Sequence, residues 1–328
     1  GRIAGIRCLL YIYISYDKLK EIVKVERGES AMYIIENQYL KVEVCKKGAE
    51  LQSIFDKEMG KEILWTADAK FWARRSPILF PNVGRHHENQ YLYNGKVYEA
   101  MQHGFAKDME FSCVEETEDT LSFKIQDTEE TKKYYPFSFA LTITYKIQDR
   151  KLDVIWKVEN KNTDTMYFTI GGHPGFNVPI LENTCQTDYK LLFKNKGEVE
   201  YCQVYGMTGT ADEKKTYKLP LEPYGEYEGC NITETMFEND ALIFDNSQLS
   251  CVGIGYPDGT PYIMMDCTGF TNFGIWSLPG APYICLEPWM GRCDNYGFKD
   301  DISKKPDIVA LRAEETFQHG YRVTIYNK

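Results

Sequence analysis

The chain has 328 residues, 43% of them apolar, and a formal net charge of −10, which allows one large core or two ordinary ones. That acidity sets a repulsive field against phosphate backbones and anionic lipid with no basic stripe to offset it, so no nucleic acid and no membrane partner is expected. Ten cysteines, spread from Cys8 to Cys293 without a CxxC pair, read as reduced, mostly buried thiols rather than a disulfide framework, as in a cytoplasmic protein.

At the start of the chain, residues 8–14 form the longest apolar run, far short of the roughly 20 residues a membrane helix needs. Arg2 and Arg7 ahead of it imitate a secretory leader, but Asp17, Lys18 and Lys20 stand where a small-residue cleavage site should lie. A highly charged stretch then breaks at Gly28, and Met32 opens a clean strand pattern. Residues 1–31 are therefore expected to be an extension outside the fold, and residues 32–328 a single domain.

From Met32 onward the apolar period is two, the spacing that puts alternate side chains on one face of a strand. Such runs occupy residues 33–44, 121–125, 165–170, 241–244, 262–267 and 317–326. Phe139, Leu141, Ile143, Tyr145 and Ile147 alternate with mostly polar neighbours, and after Gln148-Asp149-Arg150 the pattern resumes with Leu152, Val154, Trp156 and Val158. That is the signature of an antiparallel hairpin. Turn signals at Asn94-Gly95, Pro257-Asp258-Gly259 and Pro279-Gly280 recur, while helical periodicity is scarce. An all-β fold built as one large antiparallel β-sandwich follows.

Two of the five histidines sit in glycine-bearing segments, Gln102-His103-Gly104-Phe105 and Gly171-Gly172-His173-Pro174-Gly175-Phe176. Glycine lets a ligand approach the backbone, and the following Phe offers an apolar wall. Satisfied core histidines would look the same. A third segment, Leu286-Glu287-Pro288-Trp289, ends an apolar strand on a carboxylate; burial beside Trp289 would raise its pKa towards that of a useful base. Arg74-Arg75 precede an apolar strand, with Gly84-Arg85 close behind, and only one of two adjacent strand residues faces a given pocket. His86-His87-Glu88 suits a solvated hairpin arm better than a metal site, because strand neighbours point to opposite faces. Cys285 shares a strand face with Glu287 and reads as a buried thiol. No phosphate-cradling loop, nucleophile elbow or dinucleotide fingerprint is present.

Taken together, Ser76-Pro77-Ile78-Leu79-Phe80-Pro81, Gln102-His103-Gly104-Phe105-Ala106-Lys107-Asp108, Gly172-His173-Pro174-Gly175-Phe176 and Leu286-Glu287-Pro288-Trp289 resemble the aldose 1-epimerase (mutarotase) family, its LacX-like branch in particular. The resemblance runs from about Met32 to the C-terminus and implies a galactose mutarotase-like β-supersandwich that needs no metal or cofactor. It implies that His173 protonates the ring oxygen of an aldose while Glu287 takes the proton of the C1 hydroxyl. The ring opens, C1 turns about the C1–C2 bond, and closure yields the other anomer. By the same resemblance His103 and Arg75 hold sugar oxygens and Asp240 matches a sugar-binding aspartate. Phe105, Phe176, Trp276 and Trp289 are candidates for stacking on the C–H face of the sugar. Lys107 stands where many relatives carry Arg, which removes a bidentate donor.

The expected partner is thus a small-molecule sugar, an aldohexose or its phosphate, bound by a monomer or homodimer. Two other readings compete with anomer interconversion of a free hexose. In a hexose-6-phosphate 1-epimerase, Arg74, Arg75 and Arg85 would cradle the phosphate. A non-catalytic carbohydrate-binding sensor could use the same scaffold, because fold does not fix function.

Overall fold

The computed structural model describes residues 31–328, within which Met32–Lys328 form one compact unit. The expected extension, residues 1–31, lies outside the described residues save for Ala31. Among the described residues no helix is long and apolar enough to cross a membrane, and the one α-helix, Glu129–Tyr134, is six residues long.

Strands dominate, and they pair antiparallel. The alternating run at Phe139–Gln148 pairs with Lys151–Asn160 in a continuous register from Phe139↔Asn160 to Gln148↔Lys151. Leu141, Ile143, Tyr145, Leu152, Val154 and Trp156 all point into the main core. These two strands lie in a ten-stranded sheet that also holds Pro261–Asp266 and Thr316–Ile325. Facing it is a second large sheet whose middle strands are Leu242–Phe244, Asn272–Trp276, Tyr283–Met290 and Ile170–Gly172. Apolar side chains of both sheets, Trp156 and Val323 from one and Leu286 and Ile275 from the other, share one core cluster. The molecule is therefore a β-sandwich, as its alternation requires.

Two runs read as continuous strands are broken. Asn37 accepts the backbone N–H groups of Tyr39 and Leu40 at 2.8 Å each, an Asx-type turn that splits 33–44 into the hairpin Met32–Glu36 and Leu40–Cys45. Residues 165–170 divide between Met166–Phe168, which pairs with Val309–Leu311, and Ile170–Gly172 in the second sheet.

The second sheet presents its outer face to a cleft, and the strand Tyr283–Met290 decides what stands there. Its residues alternate faces. Ile284 and Leu286 enter the main core, whereas Cys285, Glu287 and Trp289 point the other way.

Candidate active site

Glu287 pairs with Gly274 across the strand Asn272–Trp276, and the His173 segment follows the neighbouring strand Ile170–Gly172. The two side chains meet on the cleft floor, His173 Nε2 3.2 Å from Glu287 Oε1. Both are buried, 6% and 2% exposed. Trp72 lies over the His173 ring with centroids 4.7 Å apart and planes at 31°. Trp276 and His103 meet the same imidazole edge-on, at 5.6 and 5.5 Å.

His103 reaches this position through a turn in which it and Gly104 both have left-handed backbone, φ 63° and 67°. A Cβ on Gly104 would come within 2.1 Å of the Phe80 carbonyl oxygen, so only glycine lets the turn sit against the Phe80-Pro81 segment. The Gly84 N–H donates to His103 Nδ1 at 3.0 Å, and the His103 N–H donates to the Gly84 carbonyl at 2.8 Å. With Nδ1 accepting, the neutral ring carries its proton on Nε2.

Burial drives the protonation states. It lowers His173 to about 3 and raises Glu287 well above the ordinary carboxylate value, the Asp240 carboxylate adding to the rise. His103 is lowered too, by burial first and then by His173, Lys107, Arg85 and Arg74. Burial thus pushes both groups towards their uncharged forms, an imidazole beside a carboxyl group. The Trp289 indole N–H lies near that carboxyl and partly offsets its rise, but it falls short of hydrogen-bond geometry and is buried without a partner. Nδ1 of His173 is buried without one as well.

The cleft has a volume of about 960 Å³, at the upper end for small-molecule sites. Besides His103, His173 and Glu287, its lining includes Trp72, Trp276, Trp289, Asp240 and the cations Arg74, Arg85 and Lys107. Asp240 stands exposed on the rim, its Oδ1 accepting the Ala241 N–H at 2.8 Å. Arg74 bonds Asp108, and Lys107 caps the carbonyls of Gln102 and Gly104. Arg85 Nη1 donates to Asn89 Oδ1 at 2.9 Å.

Several expectations are corrected. Arg75 is not in the lining: its guanidinium donates to the Gln52 carbonyl at 2.8 Å, and its neighbour Arg74 takes the cleft side. Phe105 and Phe176 belong to the main core, Phe105 against Tyr135 and Phe139, so neither offers a face to a sugar in the cleft. His86 is no solvated arm. It is buried, with Nδ1 3.2 Å from Asp294. Trp72 was missed, although its place just before Arg74-Arg75 was the available signal.

A sequence model of the aldose 1-epimerase family matches residues 31–239, a span that includes His103 and His173 and stops before Glu287. The chain is 29% identical over 304 residues to protein LacX of Lactococcus lactis subsp. lactis, covering 89% of this chain and 99% of that one. Its fold is similar to that of a galactose mutarotase related enzyme from Lactobacillus acidophilus, with TM-score 0.82 and 30% identity over 90% of this chain and 98% of the other. A galactose mutarotase-like protein from Lactobacillus casei gives TM-score 0.80 and 29% identity over 90% and 100%. The chain belongs to the aldose 1-epimerase family, in its LacX-like branch.

Proposed function

We propose that this protein interconverts the α and β anomers of a free aldohexose, with His173 and Glu287 as the proton-transfer pair. The observation that carries the reading is their 3.2 Å approach on the floor of a cleft wide enough for a sugar. An uncharged pair and an ion pair of these two groups hold the same number of protons. One proton passed from Glu287 to His173 therefore creates a base and an acid without exchange with solvent. In ring opening, the Glu287 carboxylate takes the O1 proton as the C1–O5 bond breaks, and the His173 imidazolium protonates O5. The pair returns to its uncharged form beside the open aldehyde. After C1 turns, His173 takes the O5 proton back, O5 closes on the other face of C1, and Glu287 protonates O1. His103, a donor through Nε2, would hold a ring or hydroxyl oxygen, Asp240 a hydroxyl at the rim, and Trp276 and Trp289 the apolar face of the sugar.

A second reading, action on a hexose 6-phosphate, draws support from Arg74, Arg85 and Lys107 lining the same cleft. Saturation-transfer NMR or polarimetry of freshly dissolved α-glucose, α-galactose and glucose 6-phosphate tests both, after subtraction of spontaneous exchange. Acceleration is expected on at least one sugar. Binding without acceleration on any of them would replace the enzyme reading by a sugar sensor.

A further inference from the structure

The strand that delivers Glu287 also places Cys285, two residues earlier, on the same face. The sulfur, the His173 imidazole and the Glu287 carboxylate present one donor atom each, all within 4.8 Å of one another, and all three residues are buried. One soft, one borderline and one hard donor suit a zinc-like ion, whereas magnesium and calcium take oxygen donors. Zinc bonds of about 2.0–2.3 Å in a tetrahedron set donor atoms roughly 3.2–3.7 Å apart. The His173–Glu287 edge, at 3.2 Å, already has that length, and the sulfur needs to close by no more than about 1 Å. A thiolate and a carboxylate neutralise a dication, so the filled site buries no net charge. Because His173 and Glu287 line the cleft, the fourth coordination position opens to it.

We propose that His173, Cys285 and Glu287 bind one exchangeable zinc-like divalent cation, which occupies the acid–base pair and shuts it off. The ion is an inhibitor and not a resident cofactor. Resident zinc sites hold the second nitrogen of a ligating histidine with a carboxylate or carbonyl, and Nδ1 of His173 has no such partner. The metal site stands on geometry alone. Its inhibitory consequence rests on the function proposed above.

Titration of metal-free protein with Co²⁺ as the spectroscopic probe, and with Zn²⁺ by calorimetry, tests the site. One ion per chain and a thiolate-to-cobalt charge-transfer band are expected in the wild type. Cys285→Ala should lose the band and weaken Zn²⁺ binding at least tenfold, since even outer partners of a ligand are worth about 10- to 100-fold. Cys285→Ser, which keeps the side-chain shape, serves if the alanine variant does not fold, and it too should lose the band. A wild type without the band, or a band unchanged in both Cys285 variants because another thiol binds, overturns the proposal. In sugar-exchange assays, Zn²⁺ should slow the wild type in competition with sugar, and each Cys285 variant, measured against its own metal-free rate, should need at least tenfold more metal. Cobalt binding without any sugar exchange would sink the proposed function and leave the metal site standing. Sugar exchange untouched by bound zinc would sink the inhibition.

Discussion

His173 Nε2 and Glu287 Oε1 lie 3.2 Å apart although 114 positions of sequence separate them, and each carries the burial that makes the other useful. Glu287→Gln keeps the shape but not the basicity, and His173→Asn removes the acid. Each should lower the sugar-exchange rate by about 10²-fold or more. The double variant should fall little further, because the two act as one proton-transfer unit. Saturation-transfer rates of the three proteins check this, and losses that multiply would mean that the two residues act separately.

Trp289 lies across two glycines. A Cβ on Gly274 would come within 2.3 Å of its Cη2 and Cζ2, and one on Gly171 within 2.5 Å of its Cδ1. Both glycines are in register with the strand that carries it, Gly171 opposite Trp289 itself and Gly274 opposite Glu287. Gly274→Ala should therefore push the indole off the sheet, at a cost of about 1–3 kcal/mol in stability, and weaken sugar binding. Trp289→Phe, which keeps a ring but loses the N–H near Glu287, should raise the apparent pKa of the base in a pH–rate profile. An unmoved profile would confine the indole to packing.

How legible this was depended on how local the determinants are. His173 and Glu287 sit in segments whose neighbours already force the geometry: glycines that admit a close approach, and alternation that turns Glu287 away from the core Leu286. Alternation also announced the sandwich, because Phe139–Gln148 and Lys151–Asn160 pair over their full length. Arg74 and Arg75 stand in an irregular bend before the short strand Ile78–Leu79, where no strand alternation tells which of two neighbours faces the cleft. Phe176 lies in the short strand Gly175–Asn177, where its pairing with Ile284 puts it in the core. His86 finds its partner 208 residues away, beyond any local signal.

Burial lowers the pKa of four histidines, His86, His103, His173 and His319. In the unfolded chain each titrates near pH 6.5. Between that value and the lower folded one, the unfolded state binds more protons, so stability is fully present above about pH 6.5 and is lost as the pH falls. Each group contributes a slope of up to about 1.4 kcal/mol per pH unit. For His173 the window runs from 6.5 down to about 3. Denaturant unfolding between pH 7 and 5 should show stability falling with pH, and His173→Asn should flatten the slope by about one proton. An equal slope in the variant would mean that His173 is charged in the folded protein.

Asp294 is the centre of a buried network. It accepts from His86 Nδ1 at 3.2 Å, from the His87 N–H at 2.8 Å and from Lys305 Nζ. Burial alone would raise its carboxyl pKa, and Lys305 and His86 hold it below the usual range instead. Asp294→Asn leaves Lys305 buried and unpaired, at a cost of about 3–5 kcal/mol. Asp294→Leu combined with Lys305→Met should cost less than the sum of the single changes, which a denaturation cycle measures. The network also pins the segment whose Gly84 N–H holds His103, so sugar exchange should suffer in Asp294→Asn at temperatures where the variant is still folded.

Arg85 separates the two sugar readings. Arg74 and Lys107 already face Asp108, whereas among the described residues no carboxylate lies within ion-pair distance of Arg85, whose guanidinium bonds the neutral Asn89. Its stem is fixed against Gly209, where a Cβ would come within 2.4 Å of Arg85 Cδ. A cation so placed has a free charge for an anionic group on the ligand, and a hydrogen bond between charged partners is worth about 1.5–3 kcal/mol. If the substrate is a hexose 6-phosphate, Arg85→Ala should lower kcat/KM on glucose 6-phosphate by roughly 10- to 100-fold and leave glucose nearly unchanged. If the substrate is a free hexose, the variant should treat both sugars alike. The ratio of the two effects, measured on one protein preparation, decides between the readings without reference to absolute rates.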